Sequence, residues 1–264
     1  MKHQSNILAL KYRPLNFQDL IGQEYLVETI QKSIQQNKIP NAYIFTGIRG
    51  VGKTTTARIV AKMLNCTVFD KNNNPDLINC EQAKAITEDR HPDVIEIDAA
   101  SNTSVENARE IIENVKYNPV LGKYKVYIVD EVHMLSKSAF NALLKTLEEP
   151  PPHSKFIFAT TEISKVPITI LSRCQRFDLR RVEKKTLSDF LKSIAKKEDI
   201  TISNEALNLI VKASDGSVRD SLSILDQANV FKSQKEIQVE EIVNMLGFAR
   251  QSDLYELSRC IFDN

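Results

Sequence analysis

The amino-acid sequence predicts an α/β protein, a parallel sheet flanked by helices over residues 1–180, followed by helices alone. Three observations predict it. Short apolar runs suited to buried strands recur at Ala42–Thr46, Asp93–Asp98, Val126–Val129 and Phe156–Ala159, and the stretches after them carry apolar residues at helical spacing. A glycine-rich turn joins the first of these strands to its helix. From Lys184 onward the strand-like runs stop and only helical periodicity remains.

Taken in order, Leu10-Lys11-Tyr12-Arg13-Pro14 and Phe17 to Gln23 read as a compact loop with a turn at Pro14 and a glycine at Gly22. A helix follows from about Tyr25 to Gln35, with Leu26, Ile30 and Ile34 on one face. After the strand Ala42–Thr46, the run Gly47-Ile48-Arg49-Gly50-Val51-Gly52-Lys53-Thr54 satisfies G-x-x-x-x-G-K-[ST] at every fixed position, and Thr55 continues into a helix from Lys53 to Leu64. Glycines let successive N–H groups face one anion, and the helix beginning near Gly52 adds its positive end. Lys53 then reaches the terminal phosphates of a nucleotide and Thr54 ligates Mg²⁺.

Thr67 to Asn79 is polar and interrupted by Pro75, so a loop is expected there. A second strand-helix unit follows, with Thr103-x-x-Glu106 in capping-box form before Val105, Ile111, Ile112 and Val115. The third strand delivers two carboxylates, Asp130 and Glu131, at its end. Ligand chemistry collects at the carboxyl ends of parallel strands, so Asp130 is expected beside the glycine loop holding Mg²⁺, with Glu131 polarising an attacking water. His133, next along, is left without a role. Ser136 to Glu149 is an amphipathic helix stopped by Pro150-Pro151-Pro152, and the fourth strand ends in Thr160-Thr161, whose hydroxyls could bond the water or a phosphate. Pro167–Leu171 is a short helical piece, and Gln175–Leu179 is a fifth strand.

In the helical region Thr186-x-x-Asp189 is read as a cap, Ser203 as the start of a second helix, and Asp215-Gly216 as the break before a third near Ser217. Residues 181–231 are thus a small helical domain. Residues 232–238 form a polar connector, and helical stretches near Glu240–Leu246 and Asp253–Ile261 are expected to begin a further helical domain over 232–264 that the sequence does not complete. Charge is balanced, 35 basic against 34 acidic residues for a net of +1, so the total carries no electrostatic footprint of a nucleic-acid or membrane binder. No stretch reaches the roughly 18 apolar residues of a membrane span, and the chain is expected in the cytoplasm with reduced thiols.

Several runs together are specific. His91-Pro92-Asp93-Val94-Ile95-Glu96-Ile97-Asp98-Ala99-Ala100-Ser101, Asn141 to Pro150 and Ile170-Leu171-Ser172-Arg173-Cys174, with the glycine loop and Asp130-Glu131-Val132-His133, resemble the γ/τ subunits of bacterial DNA polymerase III, clamp-loader motors within the AAA+ ATPases. The resemblance covers essentially the whole chain and implies an AAA+ P-loop domain, an all-α lid and the start of a helical collar. It implies that Tyr12, Arg13, Pro14, Ile21 and Gly22 line the adenine pocket. It also implies that Thr161 senses the γ-phosphate, that Arg173 is a finger offered to a neighbouring subunit's ATP, and that Arg219 is a second sensor. It implies an ATPase of the DNA polymerase III holoenzyme, a DNA-directed DNA polymerase. Its partners would be δ- and δ′-type subunits of a hetero-oligomer, a sliding clamp and primed DNA, with no membrane. Intact Lys53, Thr54, Asp130 and Glu131 argue against a non-hydrolysing scaffold subunit, and Ser172-Arg173-Cys174 against a helicase-type motor. One departure stands out: the family usually carries four zinc-binding cysteines, and here Leu77 and Ala83 stand where two are expected, leaving Cys66 and Cys80. Two thiolates do not close a tetrahedral structural site, and no zinc is expected.

Overall fold

The computed structural model describes residues 7–70, 75–101, 105–231, 236–247 and 260. Its contacts divide the chain into two units, Arg13–Arg181 and a helical unit made of Met1–Tyr12 with Val182–Asn264.

The larger unit holds five parallel strands, β1 (Ala42–Thr46), β2 (Val94–Asp98), β3 (Lys125–Asp130), β4 (Ser154–Thr160) and β5 (Gln175–Asp178), in the order β2-β3-β4-β1-β5. All residues of β1 and β4 are buried. Strands covered on both faces need continuous apolar runs, as these are. Alternate side chains serve opposite faces. Tyr43, Phe45, Val126 and Ile128 join a core completed by α2 (Glu24–Gln35) and α3 (Lys53–Asn65). Ile44, Tyr127, Val129 and Phe158 join another, under α5 (Val105–Val115) and α6 (Lys137–Glu148). The strand order sets the carboxyl ends of β1, β4 and β3 side by side, with Thr46 level with Thr160. That edge gathers the glycine loop, Thr160-Thr161 and Asp130-Glu131.

Two smaller helices complete this unit. α4 (Glu81–Thr87), which the polar loop before it hid from sequence reading, buries Ala83 and Ile86, and α7 (Ile168–Leu171) follows Pro167. The capping box at Thr103 lies outside the described residues.

In the helical unit, α8 (Lys184–Lys197), α9 (Asn204–Ala213), α10 (Val218–Phe231) and α11 (Val239–Leu246) bury Leu187, Leu191, Leu207, Ile210, Leu222, Leu225 and Ile242. Ser203 caps α9, accepting the Ala206 amide at 3.2 Å, and Ser217 accepts the Asp220 amide at 3.2 Å at the start of α10. Thr186 does not cap α8. The helix begins at Lys184, with Glu183 extended before it, so Thr186 already lies inside the first turn.

Two further segments pack in the helical unit. The first residues leave the sheet domain for the helical unit. There α1 (Leu8–Lys11) packs on α10, the Leu8 amide donates to Asp226 at 3.4 Å, and Lys11 donates to Glu198 at 2.8 Å. Ile237 bridges Ile202 in parallel and α11 packs on α9 and α10, because its apolar face finds its partner there. The helix expected at Asp253–Ile261 falls outside the described residues, Cys260 excepted.

Candidate functional site

The glycine loop owes its path to backbone freedom at two positions. Gly47 has φ +148°, and a Cβ there would stand 2.6 Å from the Leu179 carbonyl oxygen. Gly52 begins α3 with φ +102°, and its carbonyl accepts both the Thr56 amide at 2.8 Å and the Thr56 hydroxyl at 2.9 Å. Lys53, 5% exposed, turns its ammonium back on the loop and donates to the Gly47 and Ile48 carbonyls, each at 3.0 Å. Burial pulls its pKa below the ordinary lysine value, opposed by the carboxylates of Glu131 and Asp130. A desolvated cation held by carbonyls inside a loop of N–H groups suits an incoming anion.

At the end of β3, the Thr54 hydroxyl donates to Asp130 Oδ2 at 2.5 Å, and Asp130 Oδ1 accepts the Glu131 amide at 2.9 Å. A hydroxyl and a carboxylate from opposite halves of the sheet domain thus meet as hard oxygen donors, a set that fits Mg²⁺. Glu131 leaves the strand with φ +46°, and its Oε2 accepts the Thr161 amide at 3.1 Å and the Thr161 hydroxyl at 3.0 Å. Around them, His133 Nδ1 lies 3.0 Å from Thr160 Oγ1 and 3.4 Å from Glu131 Oε2, with Nε2 3.4 Å from Glu162 Oε1.

The remaining expected residues are placed less uniformly. Arg13 Nε donates to Thr55 Oγ1 at 3.2 Å, which ties the Arg13-Pro14 segment to the P-loop helix, and Gly22 has φ +70° ahead of α2. Ile21 is half-buried beside it, and Val51 is buried in the core. Tyr12 falls in the helical unit, where its hydroxyl donates to Glu198; burial and that carboxylate push its pKa up to about 12. Arg173 is half-exposed and bound within its own chain, to Glu148 Oε1 at 2.5 Å and the Thr169 carbonyl at 2.6 Å. Exposed ion pairs of this kind contribute about 0–1 kcal/mol, so the pairing is readily exchanged. Arg219 is exposed in the first turn of α10.

Sequence reading missed three supports. Gln23, 5% exposed, donates to the Arg180 carbonyl at 2.8 Å and accepts the Arg180 amide at 3.2 Å, holding the chain just past β5. Arg58 of α3 grips Glu96 of β2 through two bonds of 2.5 and 2.7 Å. Asp93 accepts the amides of Val120, Leu121 and Gly122, all at 2.7 Å. None has a local spacing signal, because each pair is made only when distant elements pack.

Cys66, Leu77, Cys80 and Ala83 meet in one apolar cluster. The Cys66 thiol donates to the Val68 carbonyl at 3.0 Å, and burial pushes its pKa up to about 12. Burial would also raise Cys80, but the amides of Ala83, Thr67 and Gln82 directed at its sulfur bring it below the usual thiol value. Two sulfurs beside a leucine and an alanine supply half of the four donors that a closed structural zinc site uses.

Residues 22–183 match a family model described as DNA polymerase III, delta subunit, and residues 186–233 match one described as DNA polymerase III clamp loader subunit, ATPase lid domain. The chain is 47% identical to the DNA polymerase III subunit tau/gamma of Haemophilus influenzae, over 91% of this chain and 35% of that protein. It is 45% identical to the subunit tau of Bacillus subtilis, over 96% of this chain and 44% of that one. It is 43% identical to the subunit gamma of Buchnera aphidicola subsp. Schizaphis graminum, over 97% of this chain and 70% of that one. The chain therefore spans 35% and 44% of the length of these two tau-type relatives. Among solved structures, the Thermotoga maritima RuvB Holliday junction branch migration motor shares the fold with a TM-score of 0.65 at 17% identity, covering 89% of this chain and 72% of that one.

Proposed function

The chain belongs to the DNA polymerase III gamma/tau family of clamp-loader subunits, and from that premise we propose that it is the ATP-hydrolysing motor of a replicative clamp loader in the cytoplasm. ATP binding would favour a state that grips and opens a sliding clamp, and hydrolysis on primed DNA would release it. The observation that carries this reading is the meeting of Lys53, Thr54, Asp130, Glu131 and Thr161 at one edge of the sheet.

In this reading the amides of Gly50 to Thr55 receive the phosphates, and the Lys53 ammonium leaves its two carbonyls for the terminal ones. Thr54 and Asp130 would hold Mg²⁺, which when bound offsets the charge of the β- and γ-phosphates. Glu131 orients the water that attacks the terminal phosphorus and accepts its proton as the bond to ADP breaks, the electron pair leaving with ADP. Thr161, bonded to Glu131 by amide and hydroxyl, would exchange that bond for one to the γ-phosphate. Tyr12, Arg13, Pro14, Ile21 and Gly22 are proposed for the adenine, and Arg219 for sensing nucleotide state.

Steady-state ATPase of the assembled complex, with and without primed DNA and clamp, tests the motor reading. Glu131→Gln should keep ATP binding and lower turnover by roughly 10²- to 10⁴-fold. Turnover equal to wild type would remove Glu131 from the reaction. Arg173 is proposed to act on the neighbouring subunit's ATP, releasing Glu148 on assembly. Mixing Arg173→Ala with Lys53→Ala subunits should restore partial hydrolysis, since some interfaces then pair an intact finger with an intact loop. Mixtures no better than either mutant, in complexes that form normally, rule this role out.

A further inference from the structure

We propose that His133 is a positioning residue for the hydrolytic step, wedging the Glu131 carboxylate against Thr161 at the carboxyl edge of the sheet. The proposal rests on the reading of Glu131 as the group that orients water.

His133 lies in the single turn Val132–Met134 directly after Glu131, closed by the Met134 amide donating to the Glu131 carbonyl at 2.9 Å. Glu131 itself has a left-handed backbone, which a residue with a side chain adopts only where its surroundings hold it. Those surroundings are the fully buried Val132 below and the His133 ring beside it, whose side chain is only 6% exposed. The ring contacts three groups of the edge at once: Thr160 at 3.0 Å, and Glu131 and Glu162 at 3.4 Å each. Thr160 is fixed in turn, its hydroxyl oxygen accepting the Glu162 amide at 3.0 Å.

Two other histidines of the chain show what a merely structural imidazole does here. His153 is bonded to the Val115 carbonyl at 3.0 Å, and His91 takes the Asp93 amide at 3.1 Å and Gln82 at 2.7 Å, all scaffold groups. His133 instead faces the carboxylate proposed to activate water. With its hydrogen on Nδ1 the ring turns a donor toward the Thr160 and Glu131 oxygens, and its bulk fills the space beside the carboxylate, so Glu131 swings away from Thr161 only by giving up that contact. With the ring removed, the carboxylate gains rotamers that do not face the phosphates, and displacement of a reacting group by about 1 Å can cost up to 10²-fold in rate.

The test uses the full-length subunit in its assembled complex, with kcat measured at saturating ATP and affinity from a fluorescent ATP analogue. His133→Ala should lower kcat roughly 10- to 100-fold with nucleotide affinity unchanged. His133→Asn, whose amide occupies the place of Nδ1, should recover most of the loss, whereas His133→Gln, which reaches only the place of Nε2, should not. Thermal melting of each variant confirms that it is folded. Wild-type kcat in folded His133→Ala, or equal losses in the Asn and Gln variants, overturns the proposal. Glu131→Gln measured alongside separates the two failures: if it turns over normally the motor reading of Glu131 is wrong, and if it is inactive while His133→Ala is normal only the positioning role is wrong.

Discussion

Two aspartates at opposite edges of one parallel sheet show how the same side chain becomes either scaffold or site. Asp93 stands just before β2, 1% exposed, its oxygens saturated by three amides of the 120–122 turn. Asp130 ends β3 half-buried, bonded to a neighbouring amide and to a threonine hydroxyl, both of which can be exchanged for a cation. A carboxylate whose lone pairs are filled by the backbone fixes a loop. One left on a flexible hydroxyl at a strand's carboxyl end is available to a ligand. α3 repeats the contrast in cations: Lys53 points into the glycine loop, whereas Lys62 is buried and donates to the Leu15 carbonyl at 3.3 Å.

The largest expected effect separates the two aspartates. Asp130→Ala should abolish hydrolysis, by about 10²-fold or more, while shifting stability by less than about 1 kcal/mol. Asp93→Ala should do the reverse, costing about 2 to 3 kcal/mol because three part-buried amides lose a buried charged acceptor. Turnover and chemical denaturation of both variants decide it, and a stable Asp93→Ala protein breaks the comparison.

Next comes the cysteine cluster, which resembles Asp93 in being filled by the fold itself. Replacing Leu77 and Ala83 together by cysteine should install about one zinc per chain, read by elemental analysis after chelator-free purification. The unaltered chain should carry none, and stoichiometric zinc in it would show that packing has not taken the metal's place.

The smallest effects are in pH. Burial alone would raise Asp93, but the Gly122, Val120 and Leu121 amides, aided by His91, hold it below the usual carboxylate range. Its stabilisation is therefore complete above the unfolded value near 4 and fades as pH falls through the lower folded value. Burial, with Arg58 and Arg13 nearby, pushes Lys62 down to about 8. The folded chain then releases this proton before the unfolded chain does, so stability should rise between pH 8 and about 10. Lys62→Met should flatten that rise in melting curves. An unchanged slope assigns it to other groups.

Most of the strands, the helices flanking them and the chemistry-bearing ends of β1, β3 and β4 were legible in the sequence, because they depend on local periodicity and on a motif whose glycines, lysine and threonine are consecutive. α4 was hidden, since seven residues after a polar loop give too short an apolar period to separate helix from turn. Thr186 misled because Ser, Thr and Asp three residues apart mark a cap only if the chain enters the helix there, and the entry is set by Glu183.

By itself, then, the sequence determined the strands, the phosphate loop and the identity of the two carboxylates at the end of β3, all properties carried by neighbours in the chain. Only the tertiary structure decided which distant groups complete them: the strand order that brings Thr54 to Asp130 across 76 residues, Thr161 to Glu131 across 30 and His133 to Thr160 across 27. Hydrogen bonds of this kind carry no periodic signature, because each exists only after buried strands have paired in register and turned their carboxyl ends to one edge.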